Sequence, residues 1–174
     1  MASIRFVMAK KFTKTDGLEP ADIVHCALDH LSAAQFLFES NPIHFDSAGY
    51  LAHLGVEMLI KAWLLESVGE FEGIHNLQRL YSTLIEHRET EILGGIKLEI
   101  LQKLDKYEQL RYPNLNTPTE VGDDDWQNIT ALVGHLCRSM PPEIYKDLTE
   151  INKNESMPVR KAGRILMRKK IEST

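Results

Sequence analysis

The sequence has only two cysteines, Cys26 and Cys137, with neither the paired spacing of a metal clip nor the number needed for a disulfide framework. Both sit in helical patterns among apolar neighbours, which predicts reduced, buried thiols. Long apolar runs are also lacking: none approaches the ~18 uncharged residues of a membrane span. Runs that alternate apolar and polar residues are absent, so neither a parallel nor an antiparallel sheet is expected. There is no glycine-rich phosphate loop, no nucleophile elbow, no HExxH pair and no metal-ligand cluster, so no cofactor or metal is expected. The opening MASIRFVMAKKF lacks the apolar core and cleavage site of a signal peptide, which makes a cytoplasmic location the expectation. Excess positive charge is missing too: 20 basic against 25 acidic residues give −5, unlike a general nucleic-acid binder.

What remains is helical. With 43% hydrophobic and 26% charged residues, a chain of 174 residues can bury one respectable core, and a single domain is expected. The organising stretch is Asp46–Ser67, apolar on nearly every side of a helix. One polar line interrupts it, where His53, Glu57 and Lys61 recur at steps of four and share a face. Ala48, Ala52 and Gly55 form a stripe of small residues, the predicted place of closest helix approach.

A first helix is predicted from Glu19-Pro20, with proline in its first turn, to the stop at Asn41-Pro42. Its spaced residues are Ile23, Cys26, Ala27, Leu31, Ala34 and Phe38. His25 and His30 fall on different faces of it, which rules out a simple two-ligand metal clip. The central helix ends near Gly69, a loop EFEGIHN follows, and Asn76 is the predicted N-cap of a third helix, LQRLYSTLIEH, paired with the central one as a hairpin. A fourth, IKLEILQKLDKYEQL, begins after Gly94-Gly95 and stops at Arg111-Tyr112-Pro113-Asn114. Asp123, Asp124 and Asp125 suit the start of a fifth, where negative charge meets the helix dipole. Pro141-Pro142 ends it, and a short amphipathic piece, EIYKDLTEI, follows. The fold class is therefore all-α, an up-and-down antiparallel bundle of about five main helices plus a short C-terminal one. Residues 1–18 read as a loosely docked arm, 19–152 as the bundle, and 153–174 as a basic, partly helical tail with Arg160, Lys161, Arg164, Arg168, Lys169 and Lys170.

Three ordered motifs resemble the HEPN family, named for higher eukaryotes, prokaryotes and nucleotide binding. They are SAGYLAHLGVEMLIKAWLLES, GIHNLQRL and LDKYEQLRYPN, spread over roughly residues 24 to 140. Ala52, Glu57, Lys61 and Ala62 match the pattern of the family's central helix, His75-Asn76-Leu77 its element after the hairpin turn, and Arg111-Tyr112-Pro113 its Arg-Tyr-Pro. The resemblance implies a helical bundle that pairs as a homodimer, with a nucleotide or RNA phosphate site near the Arg-Tyr-Pro. It also implies a toxin–antitoxin or defence setting beside a small nucleotidyltransferase. Active members are metal-independent ribonucleases with an Arg followed by a His after four to six residues. Arg79 and His87, with seven residues between them, come nearest to that spacing. The expectation is therefore binding without catalysis, with two alternatives: a ribonuclease that joins Arg111 to His53 or His75 in space, and a structural partner of the nucleotidyltransferase.

Arg111, Tyr112 and Asn114 are the first candidates for phosphate. Pro113 pushes Tyr112 out of helical geometry, and the arginine fork, the aromatic face and the amide suit a nucleotide. The competing role for Arg111 is an ion pair or a cap on the fourth helix. His53, Glu57, Lys61 and His75 are further candidates. For the line on the central helix, the plainer reading is an intrahelical ion pair on a structural or solvated stripe; for His75 it is a histidine that bonds the backbone in its turn. His135, beside Gly134 and Cys137, reads as a core or interface histidine.

Overall fold

The computed structural model describes residues 9–88, 98–112, 116 and 118–145. α1 (Pro20–Ser40) starts with proline at its first turn, where a missing N–H costs nothing, and ends at extended Asn41. Asn41 caps the next short turn by accepting the Ile43 N–H at 3.0 Å. α2 (Phe45–Ser67) is the central helix and is buried along most of its length, from Ala48 to Leu65. α1 packs along it more extensively than any other element. Gly55 permits that approach: a Cβ there would lie 2.5 Å from Leu31 Cγ and 3.1 Å from the Ala27 carbonyl. Gly55, one member of the small-residue stripe, is thus a close contact between α1 and α2.

α3 (Leu77–Arg88) and α4 (Leu98–Tyr107) pack on α2 and on each other. Asn76 caps α3 by accepting the Arg79 N–H at 2.7 Å. Asp105 of α4 reaches over the same helix end and accepts the Leu77 N–H at 2.5 Å, satisfying donors that no residue of α3 can. α5 (Asp123–Ser139) buries Ile129, Leu132, Val133, Leu136 and Cys137. Its Asp125 accepts the Gly122 N–H at 2.7 Å and pairs with Lys103. Burial alone would raise the Asp125 carboxyl, but the Gly122 N–H and the Lys103 ammonium hold it below the usual carboxylate range. Phe38 stacks obliquely against Phe45 and Trp126, tying the end of α1 to α2 and α5.

Three expectations are corrected. A sheet exists, although a minimal one: β1 (Lys11–Thr13) pairs antiparallel with β2 (Glu70–Glu72), so that Phe12 faces Phe71. Three-residue strands are too short to show an alternating pattern, and their partners are distant in sequence. Residues 11–16 are accordingly docked on the bundle, where Lys11 pairs with Glu70 and Lys14 Nζ lies 2.8 Å from Glu66. Cys26 is exposed, because the buried stripe of α1 runs through Val24, Ala27 and Leu28 and leaves position 26 outside it; Cys137 is buried. The segment after Tyr145, with the rest of EIYKDLTEI and the basic tail, lies outside the described residues. The all-α class and the helical bundle stand.

Candidate functional site

The candidate residues separate into two places along α2. The first centres on Glu57, whose carboxylate is buried under the N-terminal ribbon. Steps of four on α2 place His53 and Lys61 on either side of it, and the loop after β2 brings His75 over the top. Lys61 Nζ donates to Glu57 Oε1 at 2.5 Å, and His75 Nδ1 lies 3.0 Å from Oε2. A carboxylate only accepts, so His75 carries its hydrogen on Nδ1 and turns Nε2 outward. His53 is fully buried. Its Nδ1 donates to the Leu104 carbonyl at 2.9 Å, and its Nε2 faces Glu57 Oε2 at 3.4 Å. Burial alone would raise the Glu57 carboxyl, but His53, Lys61 and His75 converge on it and bring it down to about 2.

The line is therefore structural and not solvated: Glu57 and Lys61 form the expected intrahelical ion pair, and it is taken out of water. Nor does His75 bond the backbone of its turn, because the ribbon carries that turn across α2 and offers it a carboxylate. His53 has no exposed surface and cannot touch a ligand. Lys61 and His75 border a groove open to the outside.

The second place is the corner after α4. The helix tightens into a 3-10 turn over Glu108–Arg111, and Tyr112, the residue before a proline, leaves it with extended backbone (φ −134°, ψ 92°). The Tyr112 N–H closes that turn on the Gln109 carbonyl at 3.0 Å. Arg111 lies between two aromatic faces, its guanidinium carbon 5.6 Å from the Tyr50 ring centre and 5.4 Å from that of Tyr112. Among the described residues it has no carboxylate partner. Tyr112 is 74% exposed. Asn114 lies outside the described residues.

Tyr50 lies in the first of the quoted motifs without being singled out there, and it meets Arg111 only because the end of α4 packs on the start of α2. Seven residues separate Tyr50 from Glu57, about 10 Å of rise along the helix, so the two places are distinct stations of one helix. Arg79 is engaged with Glu72 at 2.7 Å, and His87 Nδ1 donates to the Thr83 carbonyl at 2.8 Å. No group of three or more metal-ligating side chains occurs among the described residues, and none of their helices is long and apolar enough to cross a membrane.

The class the fold and the site define is an all-α bundle whose central helix bears a buried Glu–Lys pair and whose fourth helix leads through a 3-10 turn to an exposed arginine. The HEPN domain model matches residues 21–153, most of the chain, and the protein belongs to the HEPN family. No curated protein and no solved structure matches it.

Proposed function

We propose that this HEPN protein binds a nucleotide or an RNA phosphate at the corner formed by Arg111, Tyr112 and Tyr50, and does not cut what it binds. The observation that carries the reading is the state of Arg111: exposed, without a carboxylate partner among the described residues, and flanked by two tyrosine rings. An arginine held in this way keeps its donors for a phosphate, while an exposed ring beside it offers a face for a base. Asn114, two residues beyond Tyr112 in the sequence, is proposed for the same site. Lys61, His53, Glu57 and His75 do not, because they gather around Glu57, about 10 Å further along α2.

The same placement supports binding without catalysis. A ribonuclease built from Arg111 needs a remote histidine, such as His53 or His75, beside it. His53 is sealed in the core, and His75 stands over Glu57. Fluorescence anisotropy with short labelled RNAs in chelator tests both halves. Saturable binding that weakens with salt and is lost in Arg111→Ala, with the RNA intact, is the expected result. RNA cleavage that vanishes in Arg111→Ala would replace this reading with the ribonuclease one.

The family resemblance extends the proposal to a homodimer in a toxin–antitoxin or defence setting, with a small nucleotidyltransferase as partner. The apolar surface of α2 is used inside the chain, so a dimer would draw on exposed groups such as Phe36 and Ile43, 71% and 80% accessible. Light scattering at micromolar concentration should give twice the chain mass, and a monomer mass would remove the dimer. Co-purification with the product of a neighbouring gene tests the partner.

A further inference from the structure

The groove beside the Glu57 cluster is built like a small-molecule site, and its occupant can be read from its walls. It encloses about 420 Å³, within the range of ligand pockets. Phe12, Leu18, Ile23, Met58 and Phe71 supply carbon and sulfur surface. The ribbon fixes two of these walls, since Phe12 and Phe71 stack with ring centres 5.5 Å apart. Gly73 lets the ribbon close: a Cβ there would fall 2.7 Å from the Phe12 ring, and its N–H donates to the Lys10 carbonyl at 2.7 Å. At the polar end stand Glu57, Lys61 and His75.

The valences at that end are unequal. Glu57 Oε1 is engaged by Lys61, and Oε2 by His75 with His53 facing it. Lys61 has three N–H donors and commits one to Glu57, and its ammonium lies 5.5 Å from the Phe71 ring centre. His75 spends its Nδ1–H on Glu57 and turns an acceptor Nε2 outward, on a side chain 53% exposed. What the groove offers is the remaining N–H donors of Lys61 at one end and an apolar length.

We propose that this groove binds a small molecule with an apolar body and a single anionic head, the body against Phe12, Met58 and Phe71 and the head on the Lys61 ammonium. Nothing in this site depends on the nucleotide reading, which concerns the other station of α2. The buried Glu57 has a positioning role: it holds the Lys61 ammonium at the groove while consuming one of its three donors.

A matched pair of probes tests the proposal, 1-naphthoate and the uncharged 1-naphthylmethanol, titrated into the full chain by calorimetry and by amide chemical shifts. Saturable 1:1 binding of naphthoate is expected, with shifts concentrated at residues 71–75 and Met58. Lys61→Met should weaken naphthoate about fivefold or more and leave the alcohol within about twofold. Should that variant fail to fold, Leu18→Trp, which narrows the apolar wall without touching the charges, should abolish binding of both probes. Absence of saturable naphthoate binding, shifts that map elsewhere, or equal losses of acid and alcohol in Lys61→Met would each overturn the proposal.

Discussion

Two cationic side chains on opposite stretches of the same helical framework have been given opposite environments. Lys61 is nearly enclosed and shares its charge with Glu57, His53 and His75; Arg111 stands in water between two tyrosine rings. A charge removed from water must be answered inside the protein, so the Lys61 cluster is bound to folding. A charge left at the surface without a carboxylate is largely irrelevant to folding and available to a ligand. Buried charge thus locates what the fold depends on, and unanswered exposed charge locates what the fold presents.

The largest effect should come from breaking the buried side of that contrast. Glu57→Ala leaves Lys61 and His53 enclosed without their carboxylate and should cost about 3–5 kcal/mol in urea unfolding, since a broken buried pair strands its partner. A loss under about 1 kcal/mol would mean that water reaches the cluster and that the contrast is false. Acid should act in the same direction. The Glu57 carboxyl titrates at about 2 in the fold against an ordinary 4.5, so between these values the unfolded chain takes up the proton and the folded one does not. The stability Glu57 contributes is present above pH 4.5 and is lost as pH falls towards 2, and Glu57→Gln should flatten that part of the stability–pH curve. Asp125, also held low, adds a fall of the same sign that Glu57→Gln leaves in place.

Packing gives a smaller effect that does not involve charge. Gly55→Val forces carbon into Leu31 and the Ala27 carbonyl and should cost about 1–3 kcal/mol, with nucleotide binding at the Arg111 corner unchanged. Smallest of all should be Arg111→Ala, whose stability should stay within about 0.5 kcal/mol of the parent because an exposed arginine without an ion pair contributes little to the fold.

Much of this was legible in the residues themselves. Local chemistry marked the helices: Pro20 opening α1, Asn41-Pro42 closing it, Asn76 capping α3 and Gly55 of the small stripe on α2 receiving α1. What escaped depends on contacts between distant segments. The pairing of Phe12 with Phe71 joins segments with no mutual signal and converts an expected loose arm into a groove wall. His75 was expected to bond its own turn, yet the turn lies across α2, where Glu57 is the better acceptor. Tyr50 was invisible as a site residue until the end of α4 met it. The polar line could be read as structural or as solvated, because periodicity shows that residues share a face, not what covers that face.

The central claim is that Arg111 serves a ligand and not the fold, and thermal unfolding of the parent chain and of Arg111→Ala, each with and without a panel of nucleotides and short RNAs, tests it most directly. A ligand that binds only the folded state raises the melting temperature by mass action. The account predicts nearly equal melting temperatures without ligand and a ligand-dependent rise in the parent that Arg111→Ala abolishes. A rise that survives Arg111→Ala, or no rise with any nucleotide or RNA in the parent, would contradict it.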